Sequence, residues 1–207
     1  MLYLLSILIC LSSNILLIVT SSLLKSKGIS LNKASIIFIS IVLTIASFIS
    51  IFLGKLSSTY LFKEYSNIFS GVLLLFIGTY YLIEYKKKLE YNNGFDVSFY
   101  YETFPKFRKL INDPSIIDRN CSKCIEINES FYISIPLSIY NFSIFFAVGV
   151  SPLSIAFIIT FLFISTLISL SFISYNPYIT TKPLISRNAP AIIGILLIIT
   201  GLLEIFI

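Results

Sequence analysis

Five stretches of this chain contain no Lys, Arg, Asp or Glu: 1–24, 34–54, 65–83, 130–181 and 188–203. A hydrocarbon layer about 30 Å thick is crossed by about 20 mostly apolar residues in a helix. The first three stretches have that length, and the fourth is about twice as long. Near its middle lie Gly149, Val150, Ser151 and Pro152. Gly and Pro together in an apolar run mark a tight turn, with Pro152 expected to start the next helix. The pattern predicts an all-α membrane protein with six transmembrane helices, at 2–24, 34–54, 66–84, 131–148, 152–174 and 188–207. The last is short, and its Glu204 is expected at the far interface.

Composition agrees. Apolar residues make up 57% and charged residues 12% of the chain, against about 45–50% and about 25% in soluble domains. An ordinary globular enzyme, a disordered chain and a nucleic-acid-binding domain are excluded on that balance. The formal charge of +5 lies mostly between the apolar stretches, which suits an anionic lipid surface better than a nucleic acid. Without any His, imidazole can serve neither as a base nor as a metal ligand. Three Cys do not form a disulfide framework.

The first stretch reads as a helix and not as a signal peptide. It lacks a basic start, exceeds the usual apolar length and has no small-residue cleavage site before Lys25. With six spans, the connections at 25–33, 85–130 and 175–187 share one side and carry thirteen basic residues, against Lys55 and Lys63 on the other. The positive-inside rule places those three connections in the cytoplasm and both termini outside. The expected location is the cell membrane, with 86–130 as a cytoplasmic loop.

The two halves echo each other. Asn14 in helix 1 is matched by Asn141 in helix 4, Gly28 and Ser30 by Gly149 and Ser151, and Gly71 and Gly78 by Gly194 and Gly201. The respective offsets are 127, 121 and 123. An odd number of helices per repeat inverts the second half, an arrangement that many secondary transporters use to build a midplane binding site. The expected organisation is a first three-helix repeat at 1–85, the loop at 86–130 and a second repeat at 131–207. Hydroxyls on helix 2 (Ser40, Thr44, Ser47, Ser50) and helix 5 (Thr160, Ser165, Ser169, Ser171) are read as packing residues that let helices approach.

Several motifs carry a resemblance: Leu11-Ser12-Ser13-Asn14, Pro136-Leu137-Ser138-Ile139-Tyr140-Asn141, and the run from Asn188 through Gly194 and Gly201 to Glu204. The segment from Leu110 through Pro114, Asp118, Asn120, Ser122 and Ile125 to Glu129 looks like a loop of the form L-x-x-P-x-x-A-D-x-D-x-S-G-x-I-x-x-x-E. With these features the chain resembles, over nearly its full length, the YtaF-type sporulation membrane protein family. That family is related to MntP-type manganese efflux pumps within the lysine-exporter superfamily. The resemblance implies a transporter fold and divalent-cation efflux. The pumps, however, place an Asp where this chain has Ser13 and Tyr140. Asn14 and Asn141 follow at the next positions. A hard divalent cation wants carboxylate or carbonyl oxygens, and an Asp at a helix centre, costing about 2.5–3.5 kcal/mol, persists where function needs it.

Inside the loop, Lys86, Lys87 and Lys88 read as an anchor at the headgroups. Cys121 and Cys124 form a C-x-x-C, a spacing open to a metal shared with a second chain, to a redox pair, or to two incidental cysteines. An overlapping pattern has calcium-loop spacing. Counting Asp118 as position 1 puts Asn120 at 3, Ser122 at 5, the Cys124 carbonyl at 7, Glu126 at 9 and Glu129 at 12. Lys123 stands at position 6, where Gly is usual. A Ca²⁺ site or a relic loop that starts helix 4 are the two readings.

No enzymatic constellation emerges. The leading expectation is a carrier whose central site uses Ser13, Asn14, Ser138, Tyr140 and Asn141 for a small polar or cationic solute. The lipid bilayer is its environment, nucleic acid is not a partner, and the sequence names no protein partner. The alternative is a protein without transport that keeps the fold to bind partners during sporulation.

Overall fold

The computed structural model describes residues 2–26, 28–61, 65–92, 118, 122–151, 154–175 and 183–206. The expectations for Pro152, Asn120, Cys121 and most of the loop fall outside these residues. The elements are α1 (Leu2–Ser26), β1 (Ser30–Leu31), α2 (Lys33–Leu61), α3 (Ser66–Asn92), β2 (Cys124–Ile125), α4 (Ile127–Val150), α5 (Ile155–Tyr175) and α6 (Pro183–Ile205). Among the described residues, six helices are long and apolar enough to cross a membrane. In hydrocarbon only a helix or a closed barrel satisfies every backbone polar group.

Most helices outrun their uncharged cores. α3 continues from the expected end at 84 to Asn92, through Lys86–Lys88, and α2 runs to Leu61 instead of 54. α4 starts at Ile127 instead of 131, and α6 at Pro183 instead of 188. Proline at a first helical position costs no hydrogen bond. Ser154 precedes the first helical residue of α5, so that helix begins at Ile155, later than the expected 152.

α1 ends in a Schellman turn. Gly28 takes φ +76°, its N–H donates to the Lys25 carbonyl at 2.9 Å, and the Ile29 N–H donates to Leu24 at 3.0 Å. Leu24 and Ile29 are both buried and belong to one apolar cluster, the contact that accompanies this motif. The chain then forms β1, which pairs in parallel with β2, Ser30 opposite Cys124 and Leu31 opposite Ile125. The Ser35 hydroxyl donates to the Ile125 carbonyl at 2.7 Å. This short ladder marks one end of the bundle, called here the strand end.

Residue pairings fix the helix directions. Ser50 meets Phe142 and Gly54 meets Gly149, so α2 and α4 are parallel. Cys10 meets Ile158, Asn14 meets Ser165 and Lys25 meets Ile173 and Ser174, so α1 and α5 are parallel. Gly71 meets Gly201 and Gly78 meets Gly194, so α3 and α6 are antiparallel. A chain that reverses at every connection has these three relations.

Every extensive helix–helix contact joins one of α1–α3 to one of α4–α6: α2 with α4 and α5, α3 with α6 and α4, and α1 with α5, α6 and α4. Consecutive helices do not form the core. Glycines close the two largest of these seams. A Cβ at Gly71 would lie 2.7 Å from the Gly201 carbonyl oxygen, and one at Gly194 would lie 2.8 Å from that of Gly78. Backbones this close are excluded for any larger residue.

Large apolar side chains are plentiful on the outside, and hydroxyls are buried beside the apolar core. Phe76, Ile168, Phe172 and Phe52 face outward, while Ser22, Ser40, Ser50, Ser70, Ser134 and Thr200 are buried. Scattered exposed apolar residues are ordinary, but a continuous apolar exterior needs an apolar surrounding. The six helices and this exterior fit a multi-pass membrane protein.

Candidate functional site

The buried apolar residues fall into two clusters separated along the bundle axis. One, away from the strand end, contains Ile9, Cys10, Ile51, Ile144, Phe145, Ile158 and Leu162. The other, nearer the strand end, contains Leu17, Leu43, Leu137 and Leu170. Between these limits each of α1, α2, α4 and α5 carries polar residues among apolar ones: Ser12, Ser13 and Asn14; Thr44, Ser47 and Ser50; Ser138 and Asn141; Ser165 and Thr166. A band of polar groups therefore lies at mid-height among these apolar clusters, with Leu16 packing against both of them.

Within it, Asn14 is almost fully buried and its Nδ2 donates to Ser165 Oγ at 2.8 Å. The Ser165 hydroxyl in turn donates to the Leu162 carbonyl at 2.9 Å. Ser50 reaches across to the Phe142 carbonyl at 2.5 Å, joining α2 to α4. Ser13 donates to the Cys10 carbonyl of its own helix at 2.9 Å, as Ser12 does to Ile9 at 2.7 Å. Two hydroxyls lack partners: the buried Oγ atoms of Ser47 and Ser138 complete no hydrogen bond. The parallel register of α2 and α4, with Ser50 opposite Phe142, places Ser47 and Ser138 at nearly the same height. A buried hydroxyl without a partner costs about 1–3 kcal/mol, so two of them in one layer call for a ligand or water.

The expected residues thus share a layer, with one difference from a direct amide pair. Asn14 bonds to Ser165 on α5, and Asn141, itself buried on α4, is not its partner. Tyr140 packs its ring against Tyr81 of α3, centroids 6.3 Å apart, at the edge of the layer. Ser47, Ser50 and Ser165 were expected only to pack. Hydroxyl spacing alone could not show which helix face turns toward the layer.

Of the loop residues with calcium-loop spacing, Asp118 and 122–129 are described, and their oxygens bond to their own backbone. Asp118 accepts from the Ser122 N–H with Oδ1 and from the Lys123 N–H with Oδ2, each at 3.0 Å. Lys123 has φ +59°, the left-handed geometry that position usually reserves for Gly. Ser122 Oγ donates to the Cys124 carbonyl at 2.9 Å, and the backbone N–H of Glu126 donates to Glu129 Oε2 at 3.2 Å. That last bond caps α4. Among the described residues, no group of three or more His, Cys, Asp or Glu side chains gathers to hold a metal.

Glu204 lies one residue before the end of α6, at the far end of the bundle, and is 3% exposed. The signal in the sequence was that no other acidic residue lies in the last uncharged stretch or after it.

The architecture is that of a six-helix, multi-pass membrane-type bundle. Comparison with protein-family models, with curated proteins and with solved structures finds no match.

Proposed function

We propose that this chain is a membrane carrier built from two inverted three-helix units, with its solute site in the polar layer at mid-height. The single observation that carries this reading is the layer itself: buried amides and hydroxyls from four helices gathered at mid-height, two of the hydroxyls unpartnered. Such layers, near the bilayer midplane at the interface of inverted repeats, are where secondary transporters bind their substrates. The contact map supports the repeat. Exchanging α1 with α4, α2 with α5 and α3 with α6 turns every extensive contact pair into another that is also present. The basic residues then set the strand end in the cytoplasm.

The chemistry of the layer bears on the solute. It offers amides and hydroxyls, and the sequence supplies no Asp or Glu to α1, α2 or α5. A divalent ion would keep its double charge uncompensated there. A small polar solute, neutral or singly charged, fits better than Mn²⁺, and the manganese efflux implied by the family resemblance gives way to it.

The test uses the full chain in liposomes, with flux measured for Mn²⁺, Na⁺ and radiolabelled neutral and basic amino acids. The expected result is flux of a polar solute of low charge, reduced by at least about tenfold in Asn14→Ala/Asn141→Ala, a loss of about 1.4 kcal/mol of binding. Flux unchanged in that variant would remove the central site. If no probe moves, the reading of a non-transporting, partner-binding protein replaces this one.

A further inference from the structure

At the end of the bundle opposite the strand ladder, the C-termini of α4 and α6 both pack on the start of α3. Gly149 packs on Ile51 of α2, the Ser70 hydroxyl of α3 donates to the Ala147 carbonyl at 2.8 Å, and Gly71 of α3 packs on Gly201 and Ile205 of α6. Into this convergence project two buried polar groups from different helices. Ser151, which caps α4, is 1% exposed, and Glu204 of α6 is 3% exposed. The Ser151 hydroxyl lies beside the Glu204 carboxylate. Even so, neither Ser151 Oγ nor Glu204 Oε2 completes a hydrogen bond of ordinary geometry.

The electrostatics all point one way. The last turn of a helix carries the negative end of its dipole and carbonyls that no later helical N–H reaches. Two such ends meet here, and a carboxylate is added to one of them, where a cation would be favoured. Among the described residues no Lys or Arg forms an ion pair with Glu204, and Lys55, at this end of α2, is exposed. A buried carboxylate is retained when a cation compensates it or a proton neutralises it.

We propose that Glu204 and Ser151, with carbonyls of the α4 and α6 ends, form a binding site for one hard monovalent cation of the Na⁺ type. One carboxylate balances one positive charge, whereas a divalent ion would leave a net charge in the bundle. A proton on Glu204 could bond it to the Ser151 hydroxyl but would leave the helix-end carbonyls without a partner. A coordinated ion collects oxygens from both helices at once, so it accounts for the orphaned hydroxyl as well. Binding at this site needs no transport. Its use as a driving ion rests on the carrier reading, and the experiment below reads binding only.

The full chain in detergent is heated in increasing NaCl, with choline chloride holding ionic strength constant. Saturable stabilisation by Na⁺ is expected in the wild type, following mass action for a ligand that binds only the folded state. It should be lost in Glu204→Gln, and its midpoint should move several-fold higher in Ser151→Ala. Infrared difference spectra of the wild type, Na⁺ minus choline, provide a second reading that does not depend on the variants folding; a perturbed carboxylate band is expected. Absence of that band, an equal Na⁺ response in Glu204→Gln, or a response to acidification but not to Na⁺ would each overturn the proposal.

Discussion

Substituting Gly149 by Ala measures how closely the two halves are joined. A Cβ at this position would meet the backbone of Ile51, with its carbonyl carbon and Cα at 2.8 Å, well inside an ordinary contact. The obstacle is helix backbone, which cannot rotate aside as a side chain can. α2 and α4 must therefore part by roughly 1 Å, and overpacking of this kind costs about 1–3 kcal/mol. The separation also stretches the Ser50–Phe142 bond, now 2.5 Å, past useful range, adding about 0.6 kcal/mol. A loss of about 1.6–3.6 kcal/mol follows, a shift in the folded ratio of about fifteenfold or more. The chain has no Trp but 13 Tyr, so unfolding is followed by far-ultraviolet circular dichroism in mixed micelles with a rising fraction of denaturing detergent. Gly54→Ala, which strikes the same seam from the other side, should cost a similar amount. The double variant should cost less than the sum, because helices already parted are not parted twice. If Gly149→Ala unfolds within about 0.5 kcal/mol of the wild type, the range of an inconsequential surface change, the seam is not backbone on backbone and the interlocked architecture is wrong.

Three further outcomes use the same assay. Gly28→Ala meets no atom within 4 Å but must hold φ +76°, so it should lose about 1 kcal/mol; no loss would mean that the Schellman turn does not form. A double-mutant cycle on Asn14→Ala and Ser165→Ala should give a coupling of about 0.6 kcal/mol, with about 1.7 as a ceiling for such bonds between membrane helices. Zero coupling would show that the 2.8 Å bond is not made in the folded protein. Lys123→Gly should stabilise by about 1 kcal/mol, because it relieves a left-handed residue that carries a side chain; a less stable variant would refute the turn geometry.

The number of helices and their order were legible because hydropathy reports directly on the hydrocarbon layer. Their ends were not. Absence of charge marks the part of a helix that can sit in lipid, whereas the helix continues as long as its residues favour it. Lys86, Lys87, Lys88, Leu89 and Glu90 are all good helix formers, and α3 runs through them to Asn92. The glycine spacing was legible, yet it could not say that Gly71 would face Gly201 instead of a neighbour in its own half. The two-residue pairing of Ser30–Leu31 with Cys124–Ile125 leaves no alternation to detect, since a pattern needs four residues or more. Asn14 stood out as an amide inside an apolar stretch, but its partner Ser165 sits in a helix dense with hydroxyls, any of which composition would have allowed.

The packing also limits how the proposed carrier could move. Alternating access by rocking one repeat against the other requires that the boundary between them be able to slide. Here the boundary is not a single surface, because every extensive contact crosses it. Along α2–α4 and α3–α6 the glycine backbones touch, and a seam without side chains between the helices has no slack. The remaining boundary is different. α1 meets α5 through Asn14 and Ser165, and through Lys25, whose ammonium donates to the Ile173 carbonyl and, at 3.2 Å, to the Ser174 carbonyl near the end of α5. Hydrogen bonds of this kind are worth about 0.6 kcal/mol each on average and can exchange with a solute or with water. On the carrier reading, α2, α3, α4 and α6 form the frame and the α1–α5 pair moves, so that a disulfide introduced across α2 and α4 should leave flux intact. One introduced between α1 and α4 at the height of Asn14 should abolish it, and the opposite pattern would identify the frame as the moving part.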